Sequence, residues 1–188
     1  RENNLPGLIK ENTKMLWLEP PSNPLLKLVD INKIKKEIPH DNIKIVCDNT
    51  FASPYNQQPL TLGADVVLHS STKYLGGHSD IIGGAIVIKN NKKLAEKIKY
   101  LQNAIGAVPS PFDCYMLIRS IKTLAIRMEK HNSNAMIISE YLNNHPKINK
   151  VRYPGLKNDP NHEIAKSQMR GFGGIISVDL QTDLKGTL

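Results

Sequence analysis

The sequence predicts an α/β fold: a mostly parallel sheet covered by helices, followed by the start of a smaller C-terminal α/β domain. Short apolar runs rich in β-branched residues alternate with amphipathic stretches of helical period. Those runs are apolar on both faces, as in a parallel sheet covered on both sides. Polar clusters at Glu19–Asn23, Asp48–Tyr55 and Ser70–Asp80 fall at the carboxyl ends of the runs, where ligands bind in open α/β sheets.

The first strand is Lys14–Glu19, closed by Pro20-Pro21. Ile31, Ile34 and Ile38 then recur at helical spacing, with Asp30 as N-cap and Pro39 as the stop. Ile43–Asp48 is a second strand, and Asn49–Pro59 is a polar loop containing proline. Gly63-Ala64-Asp65 turns into a third strand, Val66–Ser71. After the loop Gly76–Asp80 come a fourth strand, Gly84–Ile88, and an amphipathic helix from Lys92 to about Ile105. Phe112–Asn144 lacks Gly and Pro and carries apolar residues at helical spacing, so one long helix is expected, kinked or broken near Lys130–Asn134. Lys150–Tyr153 and Gly174–Leu180 read as strands around a helix over His162–Met169, the opening of a βαβ-like unit. Residues 1–120 are therefore expected to belong to a large domain, and residues 121–188 to hold a bridging helix and an incomplete small domain.

The composition excludes several classes. No run approaches 18 uncharged apolar residues, which argues against a membrane-spanning helix. The lead RENNLPGLIK has no apolar core, so a secretory signal is not expected. Two cysteines without a CxxC pair fit a reducing compartment, and a cytoplasmic location is the expectation. The net charge of +8 invites a nucleic-acid reading, but the lysines are scattered. The densest run, Lys33–Lys36, has the spacing of a solvated helix face, and neither an RNA-binding aromatic cluster nor finger-type Cys/His spacing occurs.

Lys73 is the first candidate for chemistry. It follows Ser70-Ser71-Thr72 at the end of an apolar strand, where burial would lower its pKa and make the amine a nucleophile or Schiff-base former; a solvated strand-end lysine is the bland alternative. Asp48 ends another apolar strand, where a lone carboxylate is costly unless partnered. It is either a cap within Asp48-Asn49-Thr50 or a carboxylate holding a cationic ring nitrogen. A lysine and a carboxylate in those two roles are what a pyridoxal-phosphate site requires. Ser70 and Thr72, two apart and on one face if extended, offer hydroxyls to a phosphate, or are β-prone filler. Asn23 could donate to a phenolate oxygen or simply turn the chain before Pro24. His69 and His78 lack partners at metal spacing, so no metal site is expected. The glycine pairs Gly76-Gly77 and Gly83-Gly84 fit neither phosphate-loop pattern, and Gly171-x-Gly173-Gly174 precedes a strand rather than following one. Cys47 reads as inert core.

Ser-Ser-Thr-Lys-Tyr-Leu-Gly-Gly-His-Ser-Asp, positions 70–80, resembles the lysine motif of the pyridoxal 5'-phosphate (PLP) enzymes of cysteine and methionine metabolism. Val46–Tyr55 resembles their aspartate motif, and Trp17–Pro24 matches their E-x-P-x-N-P segment, in the same order and spacing. Gly106–Tyr115 and Lys122-Thr123-Leu124-Ala125-Ile126-Arg127-Met128-Glu129 are especially similar to eukaryotic cystathionine γ-lyases, and Tyr153-Pro154-Gly155-Leu156 fits the same family. The resemblance runs from about Asn12 to Asp179.

The resemblance implies a fold-type-I PLP-dependent transferase fold, with residues 1–120 as part of its cofactor-binding domain. It implies that Lys73 bonds the cofactor's aldehyde carbon and shuttles protons, and that Asp48 pairs with the pyridinium nitrogen. Ser70 and Thr72 would bind the phosphate, Asn23 would lie near the phenolate oxygen, and Thr50 beside the ring. The implied reaction is γ-elimination from L-cystathionine, a small sulfur amino acid, giving cysteine, 2-oxobutanoate and ammonia. The implied assembly is a homotetramer built from dimers. Cystathionine γ-synthase, methionine γ-lyase and homoserine-ester sulfhydrylases share these motifs; a non-catalytic protein acting only by association is the reading outside enzymes. Family members are about twice this length, so the chain is expected to be a central piece, inactive alone. The ring-stacking tyrosine and the arginine for the substrate carboxylate are expected outside it.

Overall fold

The structure, a computed structural model, describes residues 5–38 and 42–182. A four-stranded sheet organises the first half of these. Its strands are β1 (Met15–Leu18), β2 (Lys44–Asp48), β3 (Val66–Ser70) and β4 (Gly84–Ile88), in the spatial order β1-β2-β3-β4. β1, β2 and β3 run parallel, while β4 returns antiparallel, so that Ser70 faces Gly84 across the last pair. The carboxyl ends of three strands and the start of the fourth therefore share one edge, as the polar clusters predict.

A single turn of helix, α1 (Leu5–Leu8), precedes the sheet, and α2 (Ile31–Glu37) connects β1 to β2. The Asp30 carboxylate caps α2 by accepting from the Lys33 amide at 2.8 Å, which satisfies one of the helix's orphan donors. The helix ends at Glu37; Pro39, its predicted stop, lies outside the described residues. Ile31 and Ile34 of α2 pack on Ile45, Cys47 and Val67 to form the core on one face of the sheet. Burying an aliphatic side chain of this size stabilises by about 1.5–3 kcal/mol. A short α3 (Ser53–Asn56) follows β2.

Beyond β4 come α4 (Lys92–Ile105), α5 (Pro111–Ile121) and α6 (Leu124–Asn143). The long helix expected over 112–144 is thus two helices, and the break lies at Lys122-Thr123 rather than near Lys130–Asn134. Both the amide and the hydroxyl of Thr123 donate to the Ser120 carbonyl, at 3.2 and 3.1 Å, so the last turn of α5 closes on i−3 bonds. At the expected position the helix continues, because the Asn132 carboxamide bonds to Asn56 and Gly173 instead of competing for its own backbone.

α6 packs at both ends. Leu124 and Met128 meet Leu75, while Ala135 meets Val151, Tyr153 and Leu156. The last elements are β5 (Ile148–Arg152), α7 (His162–Gln168) and β6 (Ser177–Leu180). β5 and β6 pair antiparallel, with Val151 opposite Val178, which corrects the βαβ-like reading. The intervening α7 does not cross over that pair: Ala165, with Met169 just beyond it, packs on Leu28 and Ala52. Gln168 completes the attachment, donating to the carbonyl of Val29 and to the Gln57 side chain and accepting from the Ile31 amide.

Candidate active site

The ends of β2 and β3 are joined by a hydrogen-bonded chain. The Ser70 amide donates to Thr50 Oγ1 at 2.8 Å, and that hydroxyl donates to Asp48 Oδ1 at 2.6 Å. The Thr50 amide gives the same carboxylate oxygen a second bond at 3.0 Å. Asp48 is therefore the cap that one sequence reading proposed, but only through one oxygen. Its Oδ2 accepts no hydrogen bond among the described residues.

After Ser70 the chain winds into a wide turn over Ser71–Leu75, in which the Gly76 amide reaches back to the Ser71 carbonyl at 2.8 Å. Lys73 breaks the helical path with φ −93° and ψ −125°. Lys73 is exposed, the solvated strand-end alternative, because the turn lifts it off the strand. One expectation is corrected here. Ser70 and Thr72 are not neighbours on one extended face, because the strand ends at Ser70. Thr72 instead turns its hydroxyl to accept from the Gly83 amide at 3.1 Å, leaving its own proton free to donate.

Lys73 and Thr72 line a cavity of about 690 Å³ together with Phe51, Tyr74, Asp80 and His131. Tyr74 packs against the His131 ring at 5.3 Å between centroids and accepts a hydrogen bond from the Gly174 amide; burial pushes its hydroxyl pKa up. Asp48, Thr50 and Ser70 are thus bonded to one another, and Thr72 and Lys73 share the cavity. Asn23 does not line the cavity; it is exposed in the loop after β1, its backbone N–H donating to Glu19 Oε1 at 3.3 Å.

The remaining candidates take structural surroundings. Burial pushes the Cys47 thiol up to about 12, which keeps it an unreactive neutral thiol. His69 is buried in β3, and burial lowers its pKa; His78 sits 2.7 Å from the Gly76 carbonyl. Among the described residues no three His, Cys, Asp or Glu side chains gather as a metal site. Nor is any described helix long and apolar enough to cross a membrane. Sequence reasoning assigned no role to Tyr74, Arg127, His131 or Asn132. Tyr74 and Arg127 stand inside quoted motifs, which was the available signal, but their partners lie far along the chain.

A mostly parallel sheet that brings a lysine and a carboxylate to one edge is an α/β domain with a candidate ligand site there. Residues 1–187 match the family model described as Cys/Met metabolism PLP-dependent enzyme, and the chain belongs to that family. It is 58% identical over 99% of its length to a cystathionine beta-lyase of Coxiella burnetii, and covers 48% of that protein. It is 57% identical over 92% of its length to a probable cystathionine gamma-synthase of Herpetosiphon aurantiacus, covering 54% of it. Among solved structures, a cystathionine gamma-lyase from Lactobacillus plantarum complexed with L-serine superposes with a TM-score of 0.88 at 50% identity, over 93% of this chain and 45% of that one. The chain spans about half the length of the curated relatives it matches.

PLP is the cofactor of this family, and the residues present fit it. A pyridinium N–H needs an acceptor, and Asp48 offers Oδ2 while Oδ1 is held by two donors. The aldehyde needs an accessible amine, and Lys73 presents one to the cavity.

Proposed function

We propose that the intact protein is a PLP-dependent carbon–sulfur lyase that cleaves L-cystathionine by γ-elimination, taking up water and yielding cysteine, 2-oxobutanoate and ammonia. The observation that carries the reading is the half-engaged Asp48 carboxylate at the same sheet edge as the Lys73 cavity. Bound PLP supplies an electron sink for charge developing on the substrate's α-carbon. Asp48 Oδ2 holds the proton on the ring nitrogen, and Thr50 keeps the carboxylate from rotating away. Lys73 Nζ would hold the cofactor by its aldehyde carbon and would move protons at the substrate's α- and β-carbons. Ser70 and Thr72 bind the phosphate, and Asn23 approaches the phenolate oxygen. The similarity of Gly106–Tyr115 and Lys122–Glu129 to γ-lyases supports the choice of reaction. The active form proposed is a cytoplasmic homotetramer built from dimers, with residues 1–120 in the cofactor domain and 121–188 leading into the small one.

The Coxiella and Herpetosiphon relatives support a second reading, in which the same site performs β-elimination or synthesis. Product analysis on the full-length enzyme given cystathionine, and separately cysteine with an activated homoserine ester, decides. Cysteine with 2-oxobutanoate supports γ-elimination, and homocysteine with pyruvate supports β-elimination. Formation of cystathionine from cysteine and an activated homoserine ester, with no cleavage, supports the synthase.

A further inference from the structure

We propose that Arg127 is a positioning residue for Lys73, its guanidinium reaching from α6 to clamp the turn that carries the lysine. The inference rests on the reading of Lys73 as the cofactor lysine. Arg127 Nη1 donates to the Tyr74 carbonyl at 2.6 Å, one residue beyond Lys73. Nη2 donates to the Ser120 carbonyl at 3.0 Å, and Nε to Thr123 Oγ1 at 3.2 Å. One rigid fork therefore ties the lysine turn to the end of α5 and to the break between α5 and α6. The far side of the turn is shaped to the same group. Gly77 has φ +75°, and a Cβ there would overlap the guanidinium. Leu75 from the turn packs beneath, against Leu124 and Met128 of α6.

This arrangement has a consequence for Lys73. Its backbone leaves the helical path, so the direction of its side chain depends on what holds the peptides on either side. The Gly77 amide fixes the Lys73 carbonyl at 2.7 Å, and Arg127 fixes the next carbonyl. A lysine at position 127 could supply charge but not three donors in one plane to three acceptors. Losing the fork frees the Tyr74 peptide to rotate and moves the base that works on the substrate's carbons, and displacements of about 1 Å at reacting groups can cost on the order of 100-fold in rate.

The test uses full-length, cofactor-loaded enzyme carrying Arg127→Lys. Borohydride trapping on the wild type first establishes whether the cofactor is linked to Lys73; trapping elsewhere overturns the cofactor reading itself. With trapping at Lys73, Arg127→Lys is expected to lower kcat on the order of 10-fold, with KM changed by less than about 2-fold, as expected for a residue that touches no substrate. The pH midpoint of the cofactor's visible absorbance is expected to move, because the linked nitrogen sits in altered surroundings. A clamp that served stability alone would lower the melting temperature and leave that midpoint in place, which overturns the proposal. Where Arg127→Lys fails to fold, Thr123→Val, which removes the Nε acceptor together with the hydroxyl's own bond to the Ser120 carbonyl, is read the same way. A folded variant with wild-type midpoint and kcat overturns the clamp.

Discussion

The Tyr74 hydroxyl accepts a hydrogen bond from the Gly174 amide at 2.9 Å, which ties the neighbour of Lys73 to a segment 100 positions further along the chain. Two other side chains hold the adjacent glycine. Tyr153 donates to the Gly173 carbonyl at 3.0 Å, and Asn132 accepts from the Gly173 amide at 2.9 Å. Gly173 has φ +86°, a conformation that other residues adopt at a cost. The stretch leading into β6 is therefore fastened to the lysine turn through the Tyr74 side chain, and to α6 and the segment after β5 through Asn132 and Tyr153. Tyr74→Phe in the full-length protein leaves the Gly174 amide without its acceptor, at an expected cost of about 1–3 kcal/mol. Chemical denaturation checks this; an unchanged midpoint would show that the bond contributes nothing.

How far this arrangement was legible in the sequence depends on the range of the contacts. The strands of the sheet were, since each is a short apolar run bounded by turn residues, and so was the α2 cap at Asp30. Asp48 was legible as a carboxylate in need of a partner, but not the division of labour between its oxygens, because the Thr50 hydroxyl is set by the Ser70 amide 20 residues away. The α5–α6 break was missed because a threonine side chain makes it, without Gly or Pro. Lys73 could be read as buried or as solvated, and the sequence did not decide because the turn that exposes it is wound by backbone bonds from Gly76 and Gly77. Arg127 stood in a quoted motif, yet its acceptor lies 53 residues away, and helical periodicity carries no information about that.

Lys73→Ala in the full-length enzyme is expected to abolish the borohydride-reducible link between cofactor and chain. The expectation rests on the amine's access to the cavity. Peptide mapping of the reduced protein checks it. Pyridoxyl recovered on another lysine of the variant would refute the assignment.

Asp48→Ala removes the acceptor that keeps a proton on the ring nitrogen. Elimination activity in the full-length enzyme should fall by at least about 100-fold, a loss in the range seen when a preorganised charge partner is deleted. Cofactor retention on dialysis should fall as well. Thr50→Val is expected to reproduce part of both losses, because it removes one of the two bonds to Oδ1 while leaving the charge. Normal turnover and retention in Asp48→Ala would exclude the role.

Arg152 and Asp179 join β5 to β6 through two parallel bonds of 2.6 Å. The Arg152 guanidinium bonded to it holds the Asp179 carboxyl below its ordinary pKa. A depressed carboxylate pKa contributes stability that is fully present above the unfolded value, about 3.9, and is lost as pH falls through the folded value. The pair lies at the surface, so the contribution is small and screened by salt. Carboxyl NMR titration should place Asp179 low in the wild type and nearer its ordinary value in Arg152→Gln. Identical titrations in the two would show that the pair does not bind in solution.

The 188 residues produced by themselves are expected to self-associate. Large apolar side chains stand open around β4, α4 and α5: Ile82 is 89% exposed and Ile105 75%, with Tyr100, Phe112 and Tyr115 also uncovered. Ile86 and Val87 of β4 are exposed too, and β4 is an edge of the sheet. Apolar patches beyond a few hundred Å² are rare on soluble monomers, and an unpaired apolar edge strand invites association. Water is expelled when two such surfaces meet, so the isolated chain is expected to self-associate even with α2 and β1–β3 well packed. Light scattering after size exclusion should then report a mass well above 21.0 kDa, with strong binding of a hydrophobic dye and no 2-oxobutanoate formed from cystathionine. A monodisperse 188-residue monomer that binds PLP and turns over cystathionine would show that these faces need no cover.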